Sequence, residues 1–127
     1  MAQIKYNLGA IQQGIAVTEL WSGSVGGTNE TTNIKIPLND DLANYKFLVF
    51  DFIYNKAINT YMYYYSEIIS VQQFIKLFNT TYANAAISFC WGYSNVDDYF
   101  ELNKVSTTKV LNASCKYTRC TRILGIN

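Results

Sequence analysis

The acidic residues are the first place to look for chemistry in this chain, because it contains no histidine. Asp97, Asp98 and Glu101 form the densest acidic cluster. Such a cluster can hold a cation or supply the carboxylate pair of a glycosidase, in which one carboxyl has a raised pKa and its partner lies across the sugar. The plainer reading is a solvated turn, where aspartate bonds its own backbone. The spacing supports the turn: it is not that of a calcium loop, and no second ligand set accompanies it.

A second group is aromatic. Tyr61, Tyr63, Tyr64 and Tyr65, with Trp91 and Tyr93 further on, could form a platform for sugars. Aromatic faces bind the C–H faces of sugar rings, and tyrosine hydroxyls add hydrogen bonds. On a strand, however, alternate residues of such a run fill the core, and the rest lie on the sheet surface or at a subunit interface. The candidate ligand or interface contacts are therefore Tyr63, Tyr65, Trp91, Tyr93, Asp97 and Asp98. No catalytic, metal-binding or cofactor-binding residue is expected.

Cys90, Cys115 and Cys120 offer a third possibility, a zinc site. Without histidine the fourth ligand would be a carboxylate or water, whereas structural zinc sites are closed tetrads of cysteine and histidine. An odd number of cysteines fits a reducing compartment. Cys115 and Cys120 stand five apart, on opposite faces of any continuous strand, and need a turn between them to bridge. Gly23, Gly26 and Gly27 do not make a phosphate loop, because Glu30-Thr-Thr32 follows where Lys-Ser/Thr is required. Lys116, Arg119 and Arg122 form a modest basic patch that reads as a solvated strand edge.

Composition narrows the classes further. The chain has 127 residues, the size of one domain able to build its own core. Charged residues make up 15%, against roughly 25% in an average soluble domain. There are eleven Tyr, seven Phe and two Trp. The absence of histidine excludes Ser-His-Asp and Cys-His catalysis and His-based zinc. A net charge of +1 gives no footprint for nucleic acid. The opening residues lack the apolar run of a secretory signal, and the densest apolar stretch, Tyr45 to Tyr54, is broken by Lys46 and Asp51 and is too short to cross a bilayer. Synthesis in the cytosol without membrane insertion is the expectation. A surface so tyrosine-rich and so poor in charge suggests aromatic binding or cover by partner chains.

The elements that would position these residues read as strands. Residues 1–14 are a mixed arm or anchor, and 15–127 the folded domain. Ile15 to Trp21 is a strand, followed by a polar loop from Ser22 to Asn33. Ile34 to Ile36 is a short strand ended by Pro37, which has no N–H to donate. Asn39-Asp-Asp41 is a turn. Tyr45 to Tyr54 is apolar on both faces in its middle, which predicts a central strand covered on both sides. Asn55 to Asn59 is a turn. Tyr61 to Ser70 is a strand with a bend at Ser66-Glu67. Val71, Phe74, Ile75 and Phe78 have helical spacing, so a short helix, or one turn plus a strand, fits Val71 to Phe78. Ala86 to Tyr93 has a large face (Ile87, Phe89, Trp91, Tyr93) for the core and a small one (Ala86, Ser88, Cys90, Gly92) for a close neighbour. Tyr99 to Leu102, Val105 to Leu111, Cys115 to Arg119 and Arg122 to Ile126 complete eight to ten short strands with polar turns. That pattern predicts an all-β fold, a single antiparallel, jelly-roll-like β-sandwich.

Three segments carry a resemblance. They are Glu19-Leu-Trp-Ser-Gly-Ser24, the run from Ile34 through Pro37 and the Asn39-Asp-Asp41 turn to Tyr45-Lys-Phe-Leu-Val-Phe50, and Cys120-Thr-Arg-Ile-Leu-Gly-Ile-Asn127. In order and spacing, over residues 15–127, the chain resembles the C-terminal receptor-binding or tip domain of bacteriophage tail-fibre proteins. The resemblance implies a β-sandwich, a homotrimer and a non-enzymatic virion protein that mediates assembly or attachment to a host-surface glycan. The N-terminal arm would reach other virion proteins. Family members end a longer shaft or baseplate anchor, whereas only about 14 residues precede the first strand here. A head fibre, a capsid decoration protein or a stand-alone carbohydrate-binding module are the alternatives.

Overall fold

The computed structural model describes residues 16–27, 30–54, 63–89, 99–104 and 107–127. Eight strands and one α-helix follow in order: β1 (Val17–Gly26), β2 (Thr31–Pro37), β3 (Phe47–Tyr54), β4 (Tyr63–Ser70), α1 (Val71–Asn79), β5 (Ala86–Phe89), β6 (Tyr99–Asn103), β7 (Val110–Lys116) and β8 (Thr118–Ile126). A 3-10 turn, Leu42–Asn44, lies between β2 and β3. Period-2 alternation sets the strands. In β3, Leu48, Phe50 and Phe52 point inward and are buried, while Phe47, Val49, Asp51 and Ile53 point outward. The helix starts where Ser70 caps it, its hydroxyl accepting from the Gln73 N–H at 3.1 Å. Its apolar stripe then buries Val71, Phe74 and Leu77.

The strands form two antiparallel four-stranded sheets. Sheet I has the order β1-β8-β3-β4 and sheet II the order β2-β7-β6-β5. The nested pairs β1 with β8 and β2 with β7 are the outer turns of a jelly roll. The inner four strands instead close as two hairpins, β3 with β4 and β5 with β6. The chain passes from sheet II to sheet I between β7 and β8 at Tyr117, whose φ of 60° turns a nearly continuous strand from one layer to the other. The β2-to-β3 crossing is held by backbone bonds, among them Leu38 N–H to the Lys109 carbonyl at 2.9 Å and Leu42 N–H to the Thr108 carbonyl at 3.1 Å.

The core lies between the sheets. Phe50 and Phe52 of β3 meet Phe89 of β5 and Phe100 of β6, with ring centroids 5.0–5.5 Å apart for the three closest inter-sheet pairs. Leu20, Ile36, Leu48, Leu102, Leu111 and Ile123 fill the rest. Each such side chain contributes about 1.5–3 kcal/mol by leaving water.

Several elements differ from the sequence expectation. The polar stretch from Ser22 to Asn33 is largely strand: β1 runs to Gly26 and β2 begins at Thr31. Both are edge strands, and an edge strand with bulges needs few inward apolar residues. Leu111 and Cys115 belong to one strand, β7, because Ala113 is buried between them. β4 pairs with β3 in unbroken register, so no bend falls at Ser66-Glu67. Among the described residues, the cover expected on both sides of β3 is complete on its inner side and partial on its outer side, where Phe47 is 42% exposed and Val49, Asp51 and Ile53 are half-buried. Residues 1–14, the turn at Asn55 to Asn59, and the second half of the strand expected over Ala86 to Tyr93 lie outside the described residues.

Candidate functional site

The turn at Asn39-Asp-Asp41 is built from its carboxylates. Asp40 Oδ1 accepts from the Asp41 N–H at 2.8 Å and from Asn44 Nδ2 at 3.2 Å, and its Oδ2 accepts from the Tyr45 hydroxyl at 2.8 Å. Asp41 Oδ1 accepts from the Ala43 N–H at 2.9 Å and caps the 3-10 turn. The Tyr45 hydroxyl holds the Asp40 carboxyl below its ordinary range, and the Thr108 hydroxyl does the same for Asp41. Two adjoining surface depressions share Asp41 and Lys109. One, of about 410 Å³, reaches Leu38 and Asn44; the other, of about 500 Å³, reaches Phe78 and Thr107. Carboxylates held ionised in this way are poor general acids at neutral pH. Their bonds serve the turn that carries the chain between sheets.

Of the aromatic candidates, Tyr63 and Tyr65 fall on β4 and face different surroundings. The Tyr65 ring packs on Phe52 with centroids 5.1 Å apart, inside the sandwich. Tyr63 is 43% exposed at the strand's beginning, 6.2 Å from the Tyr54 ring. These two therefore do not form one exposed platform. The described aromatic that sequence reasoning passed over is Tyr82, 77% exposed in the connection from α1 to β5. Trp91, Tyr93, Asp97 and Asp98 lie outside the described residues. Glu101 is on β6, opposite Ser88 and Ser114.

Cys115 ends the buried run of β7 and Cys120 sits in β8, with the Tyr117 turn between them, and both are free thiols. Burial pushes Cys115 up to about 11 and Cys120 up to about 12. The Cys120 thiol lies 3.7 Å from the Arg122 carbonyl oxygen, a weak contact in which it donates. Thiols this reluctant to ionise are poor nucleophiles and poor metal ligands. Among the described residues, no group of three or more Cys, Asp or Glu side chains is placed to hold a metal ion. Lys116 and Arg122 lie in different sheets, so the basic patch read along the sequence is not a single surface.

The two outer faces of the sandwich differ in kind. On sheet II the cross-strand rows read Lys35, Asn112, Asn103, Ala86 and Ser114, Glu101, Ser88. Lys35 and Ser88 are exposed, Asn112, Asn103 and Glu101 half-buried, and Ser114 is buried, accepting from Asn103 Nδ2 at 2.9 Å. A polar outer face is the rule for such a sheet. On sheet I the first two rows read Val17, Ile126, Phe47, Ser70 and Glu19, Leu124, Val49, Ile68. Val17 is 50% exposed and Ile68 62%. The next row is polar. Asp51 Oδ2 accepts from Arg122 Nε at 2.8 Å, and its Oδ1 accepts from the Ser66 hydroxyl at 2.6 Å. Of the six large apolar side chains most exposed among the described residues, Val17, Phe47, Tyr64 and Ile68 lie on this face. The sequence signal for it was the two-sided apolar character of β3. No described helix is long and apolar enough to cross a membrane. No family model and no curated protein sequence matches this chain.

Proposed function

We propose that the chain is a non-enzymatic structural protein of a bacteriophage virion. It acts as a fibre tip or decorating module that self-associates, as a homotrimer by the resemblance described above, and mediates attachment to a host-surface glycan. The observation that carries this reading is the outer face of sheet I. A chain that keeps six apolar side chains in two adjacent rows on a sheet's water side is suited to contact with another macromolecule. The low charge and high tyrosine content fit the same work, since interfaces are depleted in charge and enriched in aromatics. The hydrogen bonding of Asp40 and Asp41 and the burial of Cys115 and Cys120 give those groups structural roles. Light scattering of the purified chain tests the reading: a trimer supports it, and a monomer at every concentration counts against it.

A further inference from the structure

The outer face of sheet II carries mainly polar rows, whereas that of sheet I carries two apolar rows beside one polar row, although both belong to the same sandwich. Folding alone supplies no reason for the difference, because the inner faces of both sheets already form the core. We infer that the outer face of sheet I is the surface on which a second copy of this chain packs. This inference rests on the self-association proposed above and assigns it a place.

Three observations favour a second copy as the occupant. The first is area. Val17, Phe47 and Ile68 are 50%, 42% and 62% exposed and are joined across the strands by the half-buried Val49, Leu124 and Ile126, a contiguous apolar patch of the kind that marks interaction sites. The Asp51–Arg122–Ser66 row and Tyr64, 73% exposed, extend the face over all four strands, as a partner burying roughly 800 Å² on each side requires. The second is anatomy. The apolar rows are bordered by a hydrogen-bonded polar row, the core-and-rim arrangement of protein interfaces. The third is charge. The face carries Arg119 and Arg122 against Glu19 and Asp51, so it is formally neutral and presents no net charge to repel whichever surface of a neighbouring copy packs on it. A highly charged partner, such as nucleic acid, finds no complement there. The face is about 19 Å across its four strands, wide enough for a sheet of a neighbouring sandwich to lie upon.

Hydroxyl-radical footprinting of the full chain over a dilution series tests the assignment without any substitution. The side chains of Phe47 and Ile68 are expected to become several-fold less reactive as the assembled form appears. Tyr82, 77% exposed on the α1-to-β5 connection, is expected to keep its reactivity. In parallel, the double variant Phe47→Thr/Ile68→Thr retains β-forming residues at solvent-facing positions and is expected to weaken self-association at least tenfold, while Tyr82→Ser leaves it unchanged. If the wild-type chain assembles but Phe47 and Ile68 stay reactive, the assignment of this face is overturned and self-association stands. If the folded double variant assembles as well as wild type, the result is the same. Protection of Phe47 and Ile68 that is independent of concentration would mean cover by residues 1–15 of the same chain, and would also overturn it. A wild-type chain that never assembles overturns the self-association reading itself.

Discussion

Gly125 and Tyr45 show how single residues fix the crossover. A Cβ at Gly125 would stand 2.6 Å from the Tyr45 ring, so the ring lies where a side chain would be. That position also lets the Tyr45 hydroxyl reach Asp40. Gly125→Ala is expected to cost about 1–3 kcal/mol by overpacking, read as a lower midpoint in urea without a changed slope. The buried thiols make a second prediction at this scale. In the folded chain Cys115 and Cys120 keep their protons up to about 11 and about 12. The unfolded chain gives them up from about 9. Above that pH the unfolded state binds fewer protons than the folded one, so stability falls as pH rises through this window. Urea melts between pH 8 and pH 10.5 check the sign: in Cys120→Ala the fall with pH should be shallower than in wild type.

At the scale of the element, α1 depends on its cap and its stripe. Ser70→Ala removes the acceptor for the Gln73 N–H and is expected to lower stability by about 1 kcal/mol, measured by thermal or urea unfolding. This helix was half legible in the sequence: Val71, Phe74, Ile75 and Phe78 have helical spacing, but the stretch also fitted one turn plus a strand, and the Ser70 cap settles it as a helix. β3 was legible for its dense apolar run, and the sandwich class for the number of short strands. The stretch from Ser22 to Asn33 was not, because Gly, Ser, Thr and Asn signal loops by composition, and pairing with β8 and β7 overrides that preference. Tyr63 and Tyr65 share strand parity, so their sequence spacing does not distinguish them. What separates them is position along the sandwich, with Tyr65 over Phe52 and Tyr63 near the strand's start. The outer face of sheet I was half legible: the sequence showed that β3 is apolar on both sides, and pairing alone reveals that Val17, Leu124, Ile126 and Ile68 join it in two rows.

For the whole molecule, the contrast between the two outer faces is the central fact. A polar outer face is what keeps a sandwich sheet single in water, and sheet II supplies it more fully than sheet I, whose polar row adjoins two apolar ones. The outer face of sheet I is the one on which the proposed self-association rests, and the low charge of the chain accords with that proposal. Sedimentation or light scattering of the wild-type chain, from micromolar to hundreds of micromolar, tests this most directly. The account predicts an assembled species, three times the 14.5 kDa chain mass, that dissociates on dilution. A species that keeps the mass of a single chain across the whole range would contradict it.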